Sequence, residues 1–224
     1  MRMNPCYAYT KTILLCCLAL SISGSLVSCA NAPKLSHEQM SRTRQYQEQI
    51  TLSGKISIQY QQNEKTETLS GNFDWQQLSK ELTISLNSPL GQTIAIIRET
   101  PQGASLQQAK QETRYAQDVE QLLTESLGWS LPVAGLKDWL QGFDRQTNGQ
   151  KLAVPTKDYQ RLMSQGWQID FTTWQEDQQQ VHPKLINLYR RTEELGELKI
   201  RIAILEWNAD QNSNTAPVGV PSTP

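Results

Sequence analysis

From Leu52 onward, apolar and polar residues take turns along the chain, and a period of two restricts most of it to β-strands with one wet and one dry face. Leu52, Gly54, Ile56, Ile58 and Tyr60 share one face of the first run, opposite Thr51, Ser53, Lys55, Ser57 and Gln59. Past a turn at Gln62-Asn63-Glu64, Leu69, Gly71, Phe73 and Trp75 mark a second run, and Leu82, Ile84 and Leu86 a third. Ser88-Pro89-Leu90-Gly91 is turn chemistry, since proline presets φ and glycine relieves strain. Thr93 to Arg98 makes a fourth strand, and Pro101-Gln102-Gly103 turns the chain into weaker strands at 104–107 and 112–115. Strands resume at Gly166 to Thr173, with Trp167, Ile169 and Phe171 on one face, and at Leu185 to Arg190 after Pro183. Leu198, Ile200, Ile202 and Ile204 lead to Trp207, with Gly196 in the turn before them. Strands this short, joined by turns this tight, predict an antiparallel meander.

In the middle the period lengthens. Val119, Leu122, Leu123 and Leu127 stand at helical spacing, with Asp118 suited to cap the start and Gly128 to end it. A second helix is expected from Pro132, presenting Val133, Leu136, Trp139 and Leu140 and ending at Gly142. Residues 144–164 read as a polar, irregular stretch, and no repeat of 20–50 residues is present.

The opening of the chain belongs to a different category. Arg2 and Lys11 accompany an apolar run from Ile13 to Leu20, and Leu26-Val27-Ser28-Cys29 puts small or aliphatic residues directly before a cysteine. This is the pattern of a secretory signal with a lipobox. Residues 1–28 are expected to be removed and Cys29 to become a lipid-modified first residue facing the periplasm. The apolar run is too short for a spanning helix, and Ser21, Ser23, Gly24 and Ser25 interrupt its continuation. Cys6, Cys16 and Cys17 lie in the removed segment, so Cys29 has no partner for a disulfide within the mature chain. Ala30 follows it in place of the aspartate that would retain a lipoprotein at the inner membrane, so sorting to the outer membrane is expected.

Removing 28 of the 224 residues leaves 196, enough for one domain with a real core. Residues 29–45 are expected to be a tether and the start of a polar helix over 38–49, residues 46–207 the folded domain, and residues 208–224 a disordered tail. Two of the 21 basic residues and none of the 22 acidic ones lie in the leader, so the remainder is weakly acidic and unsuited to nucleic acid.

Templates for chemistry are missing. The two histidines are His37, in the tether, and His182, beside Pro183 and read as a loop residue. There is no phosphate-binding G-x-x-x-x-G-K-[ST] and no G-x-S-x-G. No catalytic residue, metal site or cofactor is assigned. The apolar strand faces and the helix pair could pack into a filled core or enclose a cavity, because both require the same alternation.

Several of these segments, in this order, resemble the LolB family of outer-membrane lipoprotein receptors. They are Leu52-Ser-Gly-Lys-Ile56, Gly71-Asn-Phe-Asp-Trp75 and Leu86-Asn-Ser-Pro-Leu90-Gly91, then Tyr115-Ala116 before Asp118 to Leu123, and Leu131-Pro132. Leu136 with Trp139-Leu-Gln-Gly142, Gly166-Trp167, Leu198-Lys-Ile200 and Trp207 complete the series. Phe143-Asp144 and His182-Pro183 depart from the family's usual loop residues.

The resemblance implies an unclosed antiparallel β-barrel of about eleven strands with an α-helical lid over an apolar cavity, as in LolA and LolB. It implies a monomer lipid-anchored to the outer membrane at its periplasmic face. Such a protein accepts triacylated lipoproteins from the periplasmic carrier LolA and inserts them without nucleotide hydrolysis. Ile56, Ile58, Phe73, Trp75, Leu82, Ile84 and Leu86 would line the acyl cavity, with Trp139 and Leu140 on the lid. Leu90, between Pro89 and Gly91, would protrude and touch the membrane to promote release; in an anonymous protein it could equally fold back beneath its turn. An alternative occupant for the cavity is another amphiphile, a phospholipid or glycolipid.

Overall fold

A computed structural model describes residues 44–62, 65–127, 131–177, 180–192 and 196–209. The leader, Cys29, His37, the expected helix up to residue 43, Gly128 and the tail from residue 210 lie outside them.

The chain begins with six strands in succession: β1 (Ile50–Gln62), β2 (Lys65–Leu78), β3 (Glu81–Asn87), β4 (Thr93–Thr100), β5 (Gly103–Gln108) and β6 (Arg114–Ala116). Two helices follow, α1 (Val119–Leu127) and α2 (Val133–Trp139), then a small hairpin of β7 (Phe143–Arg145) and β8 (Lys151–Ala153). The last four strands are β9 (Gln160–Ser164), β10 (Trp167–Asp177), β11 (Gln180–Thr192) and β12 (Gly196–Ala209). Ten strands form one antiparallel sheet in the order β6-β5-β4-β3-β2-β1-β12-β11-β10-β9. β6 and β9 remain as its two edges, so the barrel is unclosed, and the helices cover its apolar face.

Pairing of β1 with β12 joins the two meanders. Leu52 lies opposite Trp207 and Trp75, and Ile56 opposite Ile202 and Gly71, which aligns the dry faces of three strands. The register slips once, between Ser53 and Gly54, where Leu205 is left over on β12. This bulge lets Ile204 and Trp207 both point inward while Leu205 and Glu206 point out, although the residues between them are even in number. Gly54 is required there: a Cβ would sit 2.1 Å from the Ala203 carbonyl oxygen and 2.9 Å from the Phe73 ring. The glycine in Leu52-Ser-Gly-Lys-Ile56 is thus explained by a close approach of backbone.

The helices are short, at nine and seven residues. Helices of this length are marginal alone and depend on tertiary packing. Asp118 does cap α1, its Oδ1 accepting from the Gln121 amide at 2.8 Å. Val119, Leu122 and Leu123 of α1 and Val133, Leu136 and Trp139 of α2 are buried in the common core.

Several expectations need correction. Of the twelve described strands, ten build the unclosed barrel and two form the separate β7–β8 hairpin. The stretch 144–164 is not irregular: a turn held by Gln146 and Gly149 closes the β7–β8 hairpin, and β9 pairs with β10. These strands are only three to five residues long, too short for a period to register. Residues 44–49 are not helical. β11 begins at Gln180 and carries Pro183, tolerated where the β10 partner strand shifts register. His182 is therefore a buried strand residue, not a loop residue; its ring stacks on Trp207 at 4.4 Å and its Nε2 lies 2.9 Å from Asp177 Oδ2. The chain is still in strand at 208–209, so β12 outlasts the expected start of the tail.

The edge strand β9 is pinned by charge. Arg161 donates to both carboxylate oxygens of Asp170 at 2.8 and 2.9 Å, and Tyr159 donates to one at 2.8 Å. Burial raises the Asp170 pKa, but these hydrogen bonds outweigh it and hold the carboxyl below its usual range. A depressed carboxyl contributes stability at neutral pH that is lost as pH falls through about 4 and below.

Two predictions follow from this packing. Gly54→Ala is expected to cost about 2 kcal/mol or more, seen as a lower urea midpoint with an unchanged slope. Asp170→Asn is expected to lower the midpoint at neutral pH yet leave it nearly unchanged in acid, flattening the acid limb of the stability profile.

Candidate functional site

Beneath the helices, the inner faces of β1 to β4 and β12 leave a hollow of about 60 Å³ with an entirely apolar wall. Seven of the nine residues expected in an acyl cavity surround it: Ile56, Ile58, Phe73, Trp75, Ile84, Leu86 and Leu140. Ile97 and Ile202 from the sheet join them, with Leu123, Leu131 and Leu136 from the helical segment. Leu123, Leu136 and Ile202 stood on apolar faces readable in the sequence and Ile97 in an expected strand, but the period of an element does not show which stretch of its face borders a space, and Leu131, outside any element, gives no periodic signal. Leu82 and Trp139 are placed elsewhere. Leu82 is packed solid near the β2–β3 turn, opposite Gln77 and Glu99. Trp139 is wholly buried against Gly135, where even a Cβ would meet its ring at 2.5 Å.

The hollow opens to the surface at a rim of half-buried residues, Ile56, Ile58, Leu86 and Leu131. It is less than half the volume of an apolar cavity of about 150 Å³ that takes up benzene. A full alkyl chain fits only if part of the cover moves.

The two helices are held in unlike ways. α2 and the residues just after it are tied by polar contacts on several sides. Lys137 pairs with Glu99 at 2.6 Å, and Asp138, fully buried, takes a two-point contact from Arg145 at 2.8 and 3.0 Å. The side chain of Gln141 brackets the backbone of Gln47, accepting from its amide at 2.9 Å and donating to its carbonyl at 3.0 Å. Arg44 bonds the carbonyls of Gly142 and Val154 and lies over the Trp174 ring at 4.5 Å. Burial lowers the Arg44 guanidinium to about 10. Tyr46 reaches the Lys137 carbonyl at 3.4 Å, and burial pushes its hydroxyl up to about 12. The segment leading in from the tether is thereby clamped to α2. By contrast, α1 makes side-chain hydrogen bonds only within itself and with its capping Asp118 among the described residues. What holds α1 on the sheet is the apolar contact of Val119, Leu122 and Leu123.

Outside the barrel, the β3–β4 turn is a closed knot. The amide of Ser88 donates to the Gln92 carbonyl at 2.8 Å, that of Gly91 donates to Ser88 at 2.9 Å, and Gly91 has φ of +84°. Leu90 sits at its tip, 90% exposed, and does not fold beneath the turn. Ile94 at the start of β4 is also exposed. A leucine so fully in water is costly to leave without a purpose, since covering one yields about 1.5–3 kcal/mol.

A profile of the family described as "Outer membrane lipoprotein LolB" matches residues 48–207. The chain belongs to the LolB family. An outer-membrane lipoprotein LolB from Cupriavidus necator is 36% identical over 188 residues, covering 81% of this chain and 89% of that one. One from Cupriavidus taiwanensis is 37% identical over 174 residues, covering 75% and 80%. Among solved structures, a DUF1329 family protein from Desulfovibrio piger superposes with a TM-score of 0.42 at 10% identity, covering 79% of this chain and 91% of that one. Membership makes the chain an outer-membrane lipoprotein of the lipoprotein-localisation system, with the receptor function that the resemblance implied.

The hollow generates a direct test. A fluorescent apolar probe is expected to bind saturably, and Ile58→Gln, at the half-buried rim, to weaken binding about tenfold, the equivalent of one or two lost methylene contacts. Binding by Ile58→Gln equal to that of the parent would place the probe elsewhere.

Proposed function

We propose that this chain takes acylated lipoproteins from a LolA-type soluble carrier, shelters their acyl chains beneath α1, and releases them into the outer membrane beside Leu90. The observation that carries this reading is a wholly apolar hollow whose helical wall joins Leu123 of α1 to Leu131, Leu136 and Leu140 at α2, with α1 held on the sheet by apolar contacts.

The energetics are those of exchange. Each acyl methylene exposed to water costs about 0.8 kcal/mol, so three chains cannot cross the periplasm uncovered. A receptor admits them at little cost if the contacts it gives up are of the same kind. Lifting α1 sacrifices contacts of Val119, Leu122 and Leu123 with the sheet, and an alkyl chain replaces them with equivalent ones. α2 stays as the fixed wall, since moving it would break the buried Asp138–Arg145 pair and leave charge unmatched. The final step runs downhill into the bilayer. Such a ladder of affinities consumes no nucleotide and needs no chemical step.

Two membrane contacts serve different ends. The lipid on Cys29 keeps the receptor at its target and raises its local concentration. Leu90 contributes too little to anchor anything, but enough to bias a transient encounter between the loaded receptor and the lipid surface.

Three outcomes are expected. In a reconstitution of loaded LolA, this protein and liposomes, Leu90→Glu accepts cargo normally and delivers it poorly; normal delivery would remove the role of Leu90. Cys29→Ala retains partial transfer, more than Leu90→Glu on an intact anchor. By hydrogen exchange, the amides of α1 exchange faster than those of α2 in the empty protein and slow when cargo is bound; uniform protection across both helices would rule out opening at α1.

A further inference from the structure

The β3–β4 turn does more than hold Leu90 away from the barrel. Pro89 borders a depression of about 420 Å³ whose other walls come from the outer face of β1, β2 and β12, including Lys55, Ser57, Ser70 and Arg201. The turn therefore leans over the outer face and not over the mouth of the cavity. A hydrogen bond from Asn72 Nδ2 on β2 to the Ser88 carbonyl at 3.4 Å supports its root. Ile94 is also exposed, at the start of β4 where its register with β3 shifts. A surface that receives Leu90 must accordingly approach this face.

Two cations border the depression, and neither has a carboxylate partner among the described residues. Lys55 and Arg201 are both exposed, on neighbouring strands, one step apart in a register that pairs Lys55 with Ala203 and Ser57 with Arg201. Two carboxylates stand further along the same face, Asp74 and Glu206 on either side of Ser53, held by neutral donors: Asp74 accepts from Asn87 at 2.8 Å and Glu206 from Ser53 at 3.0 Å, while Lys199 pairs with Glu197 at 3.3 Å. Ser57 lies opposite Arg201 on one side and Ser70 on the other; the Ser70 hydroxyl donates to that of Ser57 at 3.1 Å, and because hydroxyl protons rotate either can turn to an oxyanion. Ala203, opposite Lys55, keeps the wall between the strands low.

We propose that this depression binds the phosphodiester of a net-anionic phospholipid headgroup, one with no ammonium to balance its phosphate, while Leu90 enters the acyl layer beside it. Arg201 presents a planar fork to phosphate oxygens, Lys55 supplies a second point charge, and the two serines complete the donor set. The proposal rests on the reading of Leu90 as a membrane contact and adds which face lies on the bilayer and which lipid is favoured.

The test uses the chain with Cys29→Ala, so that vesicle binding reports surface contact alone. Vesicles are phosphatidylcholine, or phosphatidylcholine with one third phosphatidylglycerol. Lys55→Gln and Arg201→Gln are each expected to weaken binding to the anionic vesicles about fivefold and to leave binding to neutral vesicles unchanged. Added salt is expected to erase the difference. Leu90→Glu is expected to weaken binding to both vesicle types. If Leu90→Glu binds as the parent does while Arg201→Gln does not, the leucine reading fails and the headgroup site stands. Equal binding of the parent and both cation variants to anionic vesicles would overturn the proposal. So would saturable, Arg201-dependent binding of inorganic phosphate with no Arg201 dependence on vesicles, which would assign the depression to a free anion.

Discussion

A ten-stranded sheet with one apolar face and two unpaired edges must be covered by something, and that need organises the molecule. In a closed barrel the strands would bury each other's inner face; here β6 and β9 do not meet. The exposed apolar surface would cost far more than a domain's net stability. Two short helices supply the cover, and because neither is stable alone, cover and sheet stabilise one another. The pairing of β1 with β12, with its bulge at Gly54, brings both halves of the meander to the same curved face so that one pair of helices suffices.

The manner of covering separates structure from function. Polar contacts are directional and costly to break when buried, and they gather on α2: the Asp138–Arg145 pair, the Gln141–Gln47 bracket and the clamp formed by Arg44 and Tyr46. Apolar contacts are non-directional and exchangeable, and they alone hold α1 among the described residues. A hydrophobic cargo competes with apolar contacts on equal terms but cannot replace a buried salt bridge. In the proposed exchange, this division makes one helix a wall and the other a door.

The strand faces, both helices and the protruding loop were legible in the sequence because each rests on short-range rules. Ile56, Phe73 and Ile202 alternate; Val119, Leu122 and Leu123 recur at helical spacing; Pro89 and Gly91 bracket a turn. The hairpin of β7 and β8 was not legible, since three-residue strands carry no period. His182 was misread because its neighbour Pro183 suggested a loop, whereas a shift in β10 makes room for proline inside the strand. The clamp of Arg44 and the bracket of Gln141 span more than ninety residues of chain, and no local pattern announces such contacts.

The sequence by itself determined an antiparallel β domain interrupted by two amphipathic helices, behind a lipobox cysteine, with a leucine set in a tight turn. These are consequences of backbone periodicity and turn chemistry, which act over a few residues. Only the tertiary structure decided that the interior holds a small apolar hollow, that Leu82 and Trp139 pack solidly instead of lining it, and that the Leu90 turn leans over the outer face beside Lys55 and Arg201. Volume, lid attachment and the direction of a loop depend on how distant elements meet, and alternation is the same whether the space between two apolar faces is filled or left open.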